Sequence, residues 1–189
     1  MNLVITGDVG AGKTSWCQDY ASKLVAVGIS IGGIICPVIF DRGLKTGYNA
    51  IDLLTGVQSP FCLFDSQGGL SGQRVGRYRI NDTGLAFAVE AINKAIVSGC
   101  QVVFIDEIGP LELSGGGLAP VARTAYESGL YTISVVRRSL LEAFFTVFVA
   151  PELRLSFKTH DLSSKSNGVI EPVGCPWSKS GKKNDNSFF

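Results

Sequence analysis

Residues 7–14 read Gly7-Asp8-Val9-Gly10-Ala11-Gly12-Lys13-Thr14 and match in full the phosphate-loop pattern of glycine, four residues, glycine, lysine, and serine or threonine. The match follows a short β-type run, Leu3 to Thr6, and opens a segment, Lys13 to Val27, whose apolar residues recur at helical spacing. The motif requires a strand, a loop and a helix in this order. These residues therefore predict a site for the phosphates of a nucleotide.

The phosphate loop assigns a role to each residue type in it. Its glycines permit turn conformations that bring successive backbone N–H groups around an anion, and the following helix adds its positive end. Lys13 is expected to reach the β- and γ-phosphates, and Thr14 to ligate Mg²⁺. The predicted nucleotide-binding residues are Gly7, Asp8, Val9, Gly10, Ala11, Gly12, Lys13, Thr14 and Ser15.

An acidic pair, Asp106-Glu107, ends the continuous apolar run Val102 to Ile105. This run is too short for a helix and is typical of a parallel strand buried on both faces. Acidic pairs often lie on solvated surfaces, but ligands of open α/β sheets bind at the carboxyl ends of strands. We therefore predict that Asp106 faces the Mg²⁺ ion and that Glu107 polarises the attacking water.

The remaining pattern predicts a three-layer α/β fold of the P-loop NTPase type, with a mainly parallel sheet, helices on both faces and a β-hairpin insertion. Further strands are predicted at Ile31 to Val38, Gly76 to Ile80, Tyr131 to Val136 and Leu153 to Phe157. The hairpin joins Tyr48 to Leu54 with Val57 to Phe64. One helix is predicted to be capped by Asn81, Asp82 or Thr83 and to reach about Ser98, and others are predicted at Leu118 to Ser128 and Leu140 to Phe148. Ser66 to Gly72 is predicted as a polar loop, and Gly115 to Gly117 as a flexible break.

Composition bounds the domain and its surroundings. With 189 residues, 46% of them hydrophobic, we expect one domain over residues 1–162 and a flexible, Ser- and Lys-rich tail over residues 163–189. Lys and Arg number 17 against 16 Asp and Glu, which indicates no nucleic-acid or membrane partner. The five cysteines lack disulfide or zinc spacing, and neither a signal peptide nor a membrane-spanning run is visible, so we expect a cytoplasmic protein.

Beyond the phosphate loop, the chain resembles the small nucleoside-triphosphatases of the cancer-related NTPase or THEP1-type family. Successive elements carry the resemblance over roughly residues 1 to 140: Gly32-Gly33-Ile34-Ile35-Cys36-Pro37, Gly47-Tyr48, Asp52-Leu53, Thr55-Gly56, Val75-Gly76-Arg77-Tyr78 and Asp106-Glu107-Ile108-Gly109-Pro110-Leu111-Glu112-Leu113. The resemblance implies a RecA-like P-loop enzyme that hydrolyses ATP, GTP and other nucleoside triphosphates with Mg²⁺. It also implies that Glu107 is the water-activating base and that Asp106 lies at the metal.

A cation near the γ-phosphate would offset the charge that spreads during phosphoryl transfer. Arg137 and Arg138 follow the predicted strand Tyr131 to Val136, and Arg137 is our catalytic candidate, although a solvated helix start explains the pair equally well. Weaker candidates are Arg42, Arg74 and Arg77. The single histidine, His160, is interpreted as structural or exposed, and Trp16 and Tyr20 as core residues.

Two other functions remain open from the sequence. The same loop, with charged residues between Gly33 and Tyr78, also suits a nucleotide or small-molecule kinase. The glycine-rich segments at Gly68-Gly69 and at Gly115 to Gly117 are compatible with a nucleotide-dependent switch or assembly module. The sequence leaves the oligomeric state undetermined.

Overall fold

A computed structural model describes residues 2–65 and 71–163 of the chain. The polar loop predicted at Ser66 to Gly72 lies mostly outside these residues, as does the predicted tail from residue 164 onward. The described strands are β1 (Asn2–Gly7), β2 (Ile31–Ile35), β3 (Val38–Asp41), β4 (Leu44–Asp52), β5 (Gln58–Phe64), β6 (Arg74–Val75), β7 (Tyr78–Ile80), β8 (Val102–Ile108), β9 (Tyr131–Arg137) and β10 (Phe157–Asp161). The described α-helices are α1 (Lys13–Ala26), α2 (Asp82–Val97), α3 (Pro110–Leu113), α4 (Ala119–Glu127) and α5 (Leu141–Phe148).

All ten described strands belong to one sheet with a parallel half and an antiparallel half. The parallel half runs in the order β10-β1-β9-β8-β2. β4 then pairs antiparallel with β2, and β5, β7 and β6 continue from it. In the parallel half, the chain leaves every strand at the same edge, where a ligand site is expected.

Helices cover both faces of the parallel half, as the sequence predicts. Successive strand residues point to opposite faces, so Val103 and Ile105 of β8 pack into the core beneath α2, α4 and α5. Val102 and Phe104 of the same strand pack instead with Cys17 and Leu24 side chains of α1 on the other face. Because both faces are buried, β8 has the continuous apolar sequence that identified it.

The antiparallel half is larger than the predicted hairpin. The predicted pairing of β4 with β5 is present, but β4 begins at Leu44 and also pairs with the unpredicted strand β3. The turn between β3 and β4 places Arg42 and Gly43 at φ 47° and 80°. Two successive positive φ values match a two-residue hairpin turn, but Arg-Gly is a weaker sequence signal than Asn-Gly.

Two predicted strands have different bounds in the structure. The strand predicted at Ile31 to Val38 ends at Ile35, because Pro37 has no N–H to donate to a sheet. The strand predicted at Leu153 to Phe157 is wrong: Pro151–Ser156 form a 3-10 helix, and β10 begins at Phe157. Leu153 and Leu155 are 43% and 98% exposed, so their apolar character did not mark a buried strand.

The predicted helices are present within a few residues of their expected ends. Asn81 caps α2 by accepting a hydrogen bond from the Thr83 N–H at 3.2 Å. The short helix α3 was not predicted, and Gly115 to Gly117 is not an open break: it forms a turn packed against α3. A Cβ on Gly117 would lie 2.3 Å from Oε1 of Glu112. None of the helices in residues 2–65 and 71–163 is long and apolar enough to cross a membrane.

Candidate active site

The phosphate loop joins the end of β1 to the start of α1 at the carboxyl edge of the sheet. Gly10 and Gly12 both have φ 83°, a left-handed conformation that L-residues rarely adopt. No side chain caps the first turn of α1, and that turn contains no acidic residue. Its first N–H groups and the positive end of its dipole are therefore available to an anion.

Lys13 lies inside the loop rather than in solvent. Only 7% of the residue is exposed, and its ammonium donates to the carbonyl oxygens of Gly7 and Asp8 at 3.1 and 2.7 Å. The Asp8 N–H in turn donates to the hydroxyl of Ser163, the first residue of the predicted tail, at 2.9 Å. The lysine is thus held at the position where the motif requires a cation.

Asp106 lies at the carboxyl end of β8 and is 2% exposed. Its Oδ2 accepts a hydrogen bond from the Cys36 backbone N–H at 3.0 Å, and the Thr14 hydroxyl also bonds to the carboxylate. Burial raises the pKa of Asp106 to about 7 despite these contacts, and the neighbouring Glu107 contributes to the rise. A buried carboxylate with a raised pKa gains most from a bound cation.

Glu107 contacts the arginine that the sequence singled out for catalysis. Its Oε1 accepts a hydrogen bond from Arg137 Nε at 2.7 Å, and the two side chains are 29% and 41% exposed. Arg137 ends β9, which pairs in parallel with β8, so two adjacent strand ends bring the residues together. The peptide between Asp106 and Glu107 is cis.

The other candidate arginines are differently placed. Arg138 pairs with Asp161 at 2.6 Å on the exposed side of β10. Arg74 lies 3.3 Å from Asp65, whereas Arg77 lines a cavity that Asp106 also lines. Arg42 occupies the turn between β3 and β4. The structure therefore brings Arg137 to the predicted carboxylates and leaves Arg138 outside the group.

Trp16, Tyr20 and His160 form a ring cluster beside the loop. The Trp16 and Tyr20 rings stack with centroids 4.8 Å apart, and the His160 ring lies 5.8 Å from that of Trp16. Trp16 and Tyr20 pack against the core beneath α1 but are only half-buried. Burial lowers the pKa of His160, which favours its neutral form in this apolar contact.

A hydroxyl and a buried carboxylate beside the phosphate loop could hold a divalent cation. No group of three or more His, Cys, Asp or Glu side chains suited to a metal occurs in residues 2–65 and 71–163. Mg²⁺ in nucleotide sites commonly uses one or two carboxylates and phosphate oxygens, and keeps several waters. Thr14 and Asp106 together supply a hydroxyl and a buried carboxylate, which matches that chemistry.

A cavity of about 340 Å³ adjoins these residues on the side of the antiparallel strands. Thr14, Asp106, Glu107 and Arg137 form its polar end. Its other walls come from Cys36, which follows β2, from strands β4, β5, β6 and β7, and from α3 with the glycine before it. The site thus opens toward the antiparallel half of the sheet, where the sequence predicted a hairpin and a further strand at Gly76 to Ile80, which corresponds to β7.

A family model described as NTPase matches residues 2–157. The chain belongs to the THEP1-type nucleoside-triphosphatase family. It is 37% identical over 135 residues to the nucleoside-triphosphatase THEP1 of Methanopyrus kandleri, covering 71% of this chain and 72% of that one. It is 38% identical over 128 residues to the THEP1 of Thermofilum pendens, covering 67% and 68%.

Solved structures of the same family share the fold of this THEP1-type chain. The solution structure of a human cancer-related nucleoside triphosphatase aligns with a TM-score of 0.69 at 21% identity, over 96% of this chain and 99% of that one. The crystal structure of THEP1 from Aquifex aeolicus aligns with a TM-score of 0.60 at 22% identity, over 82% and 92%. At these identities the likeness establishes the fold.

Two residues of the THEP1-type site were not assigned a role from the sequence. Cys36 contacts Asp106 through its backbone N–H, and no pattern of side chains in the sequence indicates such a contact. Glu112 is 5% exposed and accepts hydrogen bonds from the N–H groups of Gly109 and Leu118 at 2.9 and 3.3 Å. Its position three residues after Gly109 is the signal that predicts such a helix cap. Glu112 therefore holds in place the backbone that follows Glu107 along the chain.

Proposed function

We propose that this THEP1-type chain hydrolyses nucleoside triphosphates, ATP and GTP among them, to the diphosphate and inorganic phosphate with Mg²⁺. One observation carries the proposal: a single sheet edge holds the phosphate loop, the buried Asp106 and the Glu107–Arg137 pair. The loop by itself accounts only for binding. The two carboxylates and the arginine add the groups that a hydrolysis reaction requires.

Binding begins with the loop. Backbone N–H groups around Gly10 and Gly12, together with the start of α1, receive the phosphate oxygens. The Lys13 ammonium, now held by the carbonyls of Gly7 and Asp8, exchanges these contacts for oxygens of the β- and γ-phosphates. Because the lysine is already buried, little side-chain freedom is lost when the nucleotide binds.

Thr14 and Asp106 are the residues that would hold Mg²⁺. When bound, the ion neutralises charge on the β- and γ-phosphates. The Cys36 N–H already fixes Oδ2 of the Asp106 carboxylate, and the Thr14 hydroxyl, which bonds to the same carboxylate, would share the cation with it. Because burial raises the pKa of Asp106, its carboxyl group would give up a proton when the metal binds.

Glu107 takes the proton of the attacking water. The water oxygen forms a bond to the γ-phosphorus, and the bond from that phosphorus to the β–γ bridging oxygen breaks, with its electron pair leaving on the diphosphate. Arg137 orients the Glu107 carboxylate through Nε. A guanidinium carries five N–H donors, so others remain for oxygens of the γ-phosphate.

Phosphate release from ATP, GTP, CTP and UTP tests the proposal directly. Wild-type protein is expected to release phosphate from several of them with Mg²⁺ and to lose this activity in a chelator. Lys13→Ala is the negative control, because it removes the cation from the loop. Absence of phosphate release from all four nucleotides would refute the assignment.

The names of the relatives support the proposal, since those described above are nucleoside-triphosphatases.

We also propose a cytoplasmic location. The cysteines at positions 17, 36, 62 and 100 are buried and free, which suits a reducing compartment. We also propose that residues 1–162 form the catalytic domain, since the family match ends at residue 157.

A further inference from the structure

The cavity beside Asp106 and Glu107 is far larger than a water-activating site needs. Its volume of about 340 Å³ lies in the range of roughly 300–1,000 Å³ that is typical of small-molecule sites. One water occupies only about 30 Å³. Thr14 is the one residue of the phosphate loop that lines the cavity, so the space extends away from the loop toward the antiparallel strands.

The walls of this cavity are apolar and aromatic. Tyr48, Phe61 and Tyr78 line it, together with the buried Cys62 and Ile80. The rings of Tyr48 and Tyr78 lie 5.5 Å apart. Such walls bind a flat organic group and offer little to a solvated ion.

The aromatic wall is held in place by its own contacts. The Lys45 ammonium donates a hydrogen bond to the Tyr48 hydroxyl and lies 4.2 Å from the centroid of the Tyr48 ring. Phe64 stacks on Tyr78 with centroids 4.7 Å apart. A wall fixed before the ligand arrives loses little side-chain entropy when it binds.

Arg77 supplies the cavity with a positive charge that no acidic side chain of the described residues neutralises. Its neighbours Arg74 and Arg79 both pair with Asp65, at 3.3 and 2.7 Å. In residues 2–65 and 71–163, Arg77 has no such pair, and it lines the cavity. The other guanidinium on the cavity, Arg137, is already bonded to Glu107. An exposed, unpaired guanidinium of this kind suits a carboxylate or phosphate.

We propose that this cavity binds a second substrate, a small aromatic acid with a primary hydroxyl group, and that the chain transfers the γ-phosphoryl group of a nucleoside triphosphate to that hydroxyl. The ring packs against the Tyr48 and Tyr78 rings, the acid group contacts Arg77, and the hydroxyl reaches Glu107. The inference rests on the proposed function, since both reactions use the same loop and carboxylates. Hydrolysis is then the reaction that follows when water occupies the acceptor position.

The transfer step balances without another reactant. The acceptor oxygen forms a bond to the γ-phosphorus, and the bond to the β–γ bridging oxygen breaks with its electron pair leaving on the diphosphate. The hydroxyl proton passes to the Glu107 carboxylate. The products are a phosphate monoester and a nucleoside diphosphate.

Three matched probes test the transfer with γ-labelled ATP and Mg²⁺: 4-(hydroxymethyl)benzoate, benzyl alcohol, which lacks the acid, and 4-methylbenzoate, which lacks the hydroxyl. The measured quantity is the ratio of labelled phosphate ester to labelled inorganic phosphate. The first probe is expected to give ester, benzyl alcohol a ratio about tenfold lower, as loss of one charge-assisted hydrogen bond implies, and 4-methylbenzoate none.

Arg77→Ala separates acid recognition from a general loss of activity. It is expected to lower the ester ratio about tenfold with 4-(hydroxymethyl)benzoate and to leave the ratio with benzyl alcohol unchanged, since that probe makes no contact for the variant to lose. Arg74→Ala, whose side chain pairs with Asp65, is the matched control and should match the wild type for both probes. Arg77 is exposed, so folding of the variant is not at issue.

The failures of the two proposals are distinguishable. If wild-type protein releases phosphate but forms no ester with either hydroxyl-bearing probe at millimolar concentration, the acceptor site is refuted and hydrolysis stands. If Arg77→Ala lowers the ratio equally for both hydroxyl-bearing probes, the acid contact is refuted. If ester forms without release of phosphate, hydrolysis is refuted and the acceptor site stands, and if neither product forms, both proposals fail.

Discussion

Arg137 Nε lies 2.7 Å from Glu107 Oε1, and each residue stands at the end of one of two adjacent parallel strands. The sequence indicated each residue separately for catalysis. Because of this pairing, the role we propose for Arg137 is to orient the Glu107 carboxylate as well as to contact the γ-phosphate. Because the pair is partly exposed, it contributes at most about 1 kcal/mol to stability, so its role is to position rather than to hold the fold.

Glu107→Gln tests the base. We expect kcat for phosphate release to fall about 10²- to 10⁴-fold, the usual contribution of general-base catalysis, while nucleotide binding persists, because the loop is intact. Phosphate release and nucleotide-binding titrations measure the two effects. Glu90→Gln, on the exposed surface of α2, is the matched control. Equal turnover by Glu107→Gln and the wild type would assign the proton to another group.

Arg137→Ala tests the positioning role. We expect kcat to fall about tenfold or more, since a charge-assisted hydrogen bond contributes about 1.5–3 kcal/mol, with a change of less than about 1 kcal/mol in the free energy of unfolding. Steady-state kinetics and urea denaturation measure these quantities. Arg138→Ala breaks the neighbouring pair with Asp161 and should keep wild-type kcat. The idea is wrong if the two variants behave alike in the kinetic assay.

Asp106→Asn tests the metal contact. The amide oxygen still accepts the Cys36 N–H, but the negative charge that faces the cation is lost. We expect the Mg²⁺ concentration for half-maximal activity to rise at least about tenfold, the lower end of what loss of a group supporting a metal costs. Activity measured across a Mg²⁺ titration gives the result. An unchanged titration curve would place the ion elsewhere.

Gly12→Ala tests the left-handed turn at the start of α1. A Cβ there would meet nothing within 4 Å. We therefore expect the free energy of unfolding to fall by about 1–2 kcal/mol, because alanine rarely adopts the φ of +83° found here. Gly129→Ala, at φ +76° with equally open space, should lose similar stability. Only the Gly12 variant should weaken nucleotide binding. Thermal unfolding and binding titrations compare the two, and similar affinities would show that the loop tolerates the change.

Glu112→Gln tests the buried cap by its pH dependence. Burial raises the pKa of Glu112 above its usual 4.5, against the opposing N–H contacts of Gly109 and Leu118. A raised folded-state pKa contributes stability that is complete below the unfolded value and is lost as pH rises through the folded value. The stability advantage of wild type over the variant should therefore be largest below pH 4.5 and shrink as pH rises above it.

Urea denaturation of Glu112→Gln and wild type at several pH values gives this difference in the free energy of unfolding. Because both proteins share all other titrating groups, the comparison isolates Glu112. An advantage that grows as pH rises would mean that the charged carboxylate is the better cap.

Local patterns predicted the elements whose cause is local. The phosphate loop depends on glycines within eight consecutive residues, and β8 on an apolar run buried on both faces, so both were found without partners. The prediction of β10 was wrong for the opposite reason. Its residues Lys158 to Asp161 are mostly polar, and only its pairing with β1 makes it a strand.

The sequence by itself determined the parallel α/β core, the phosphate loop and the carboxylates at the end of β8, because the spacing of residues along the chain encodes them. Only the tertiary structure decided that Arg137 contacts Glu107, that the Cys36 N–H fixes Asp106, and that Arg77 lines the same cavity as both carboxylates. Cys36 and Asp106 are 70 positions apart. Contacts over such separations depend on strand order and register, and no local pattern carries that information.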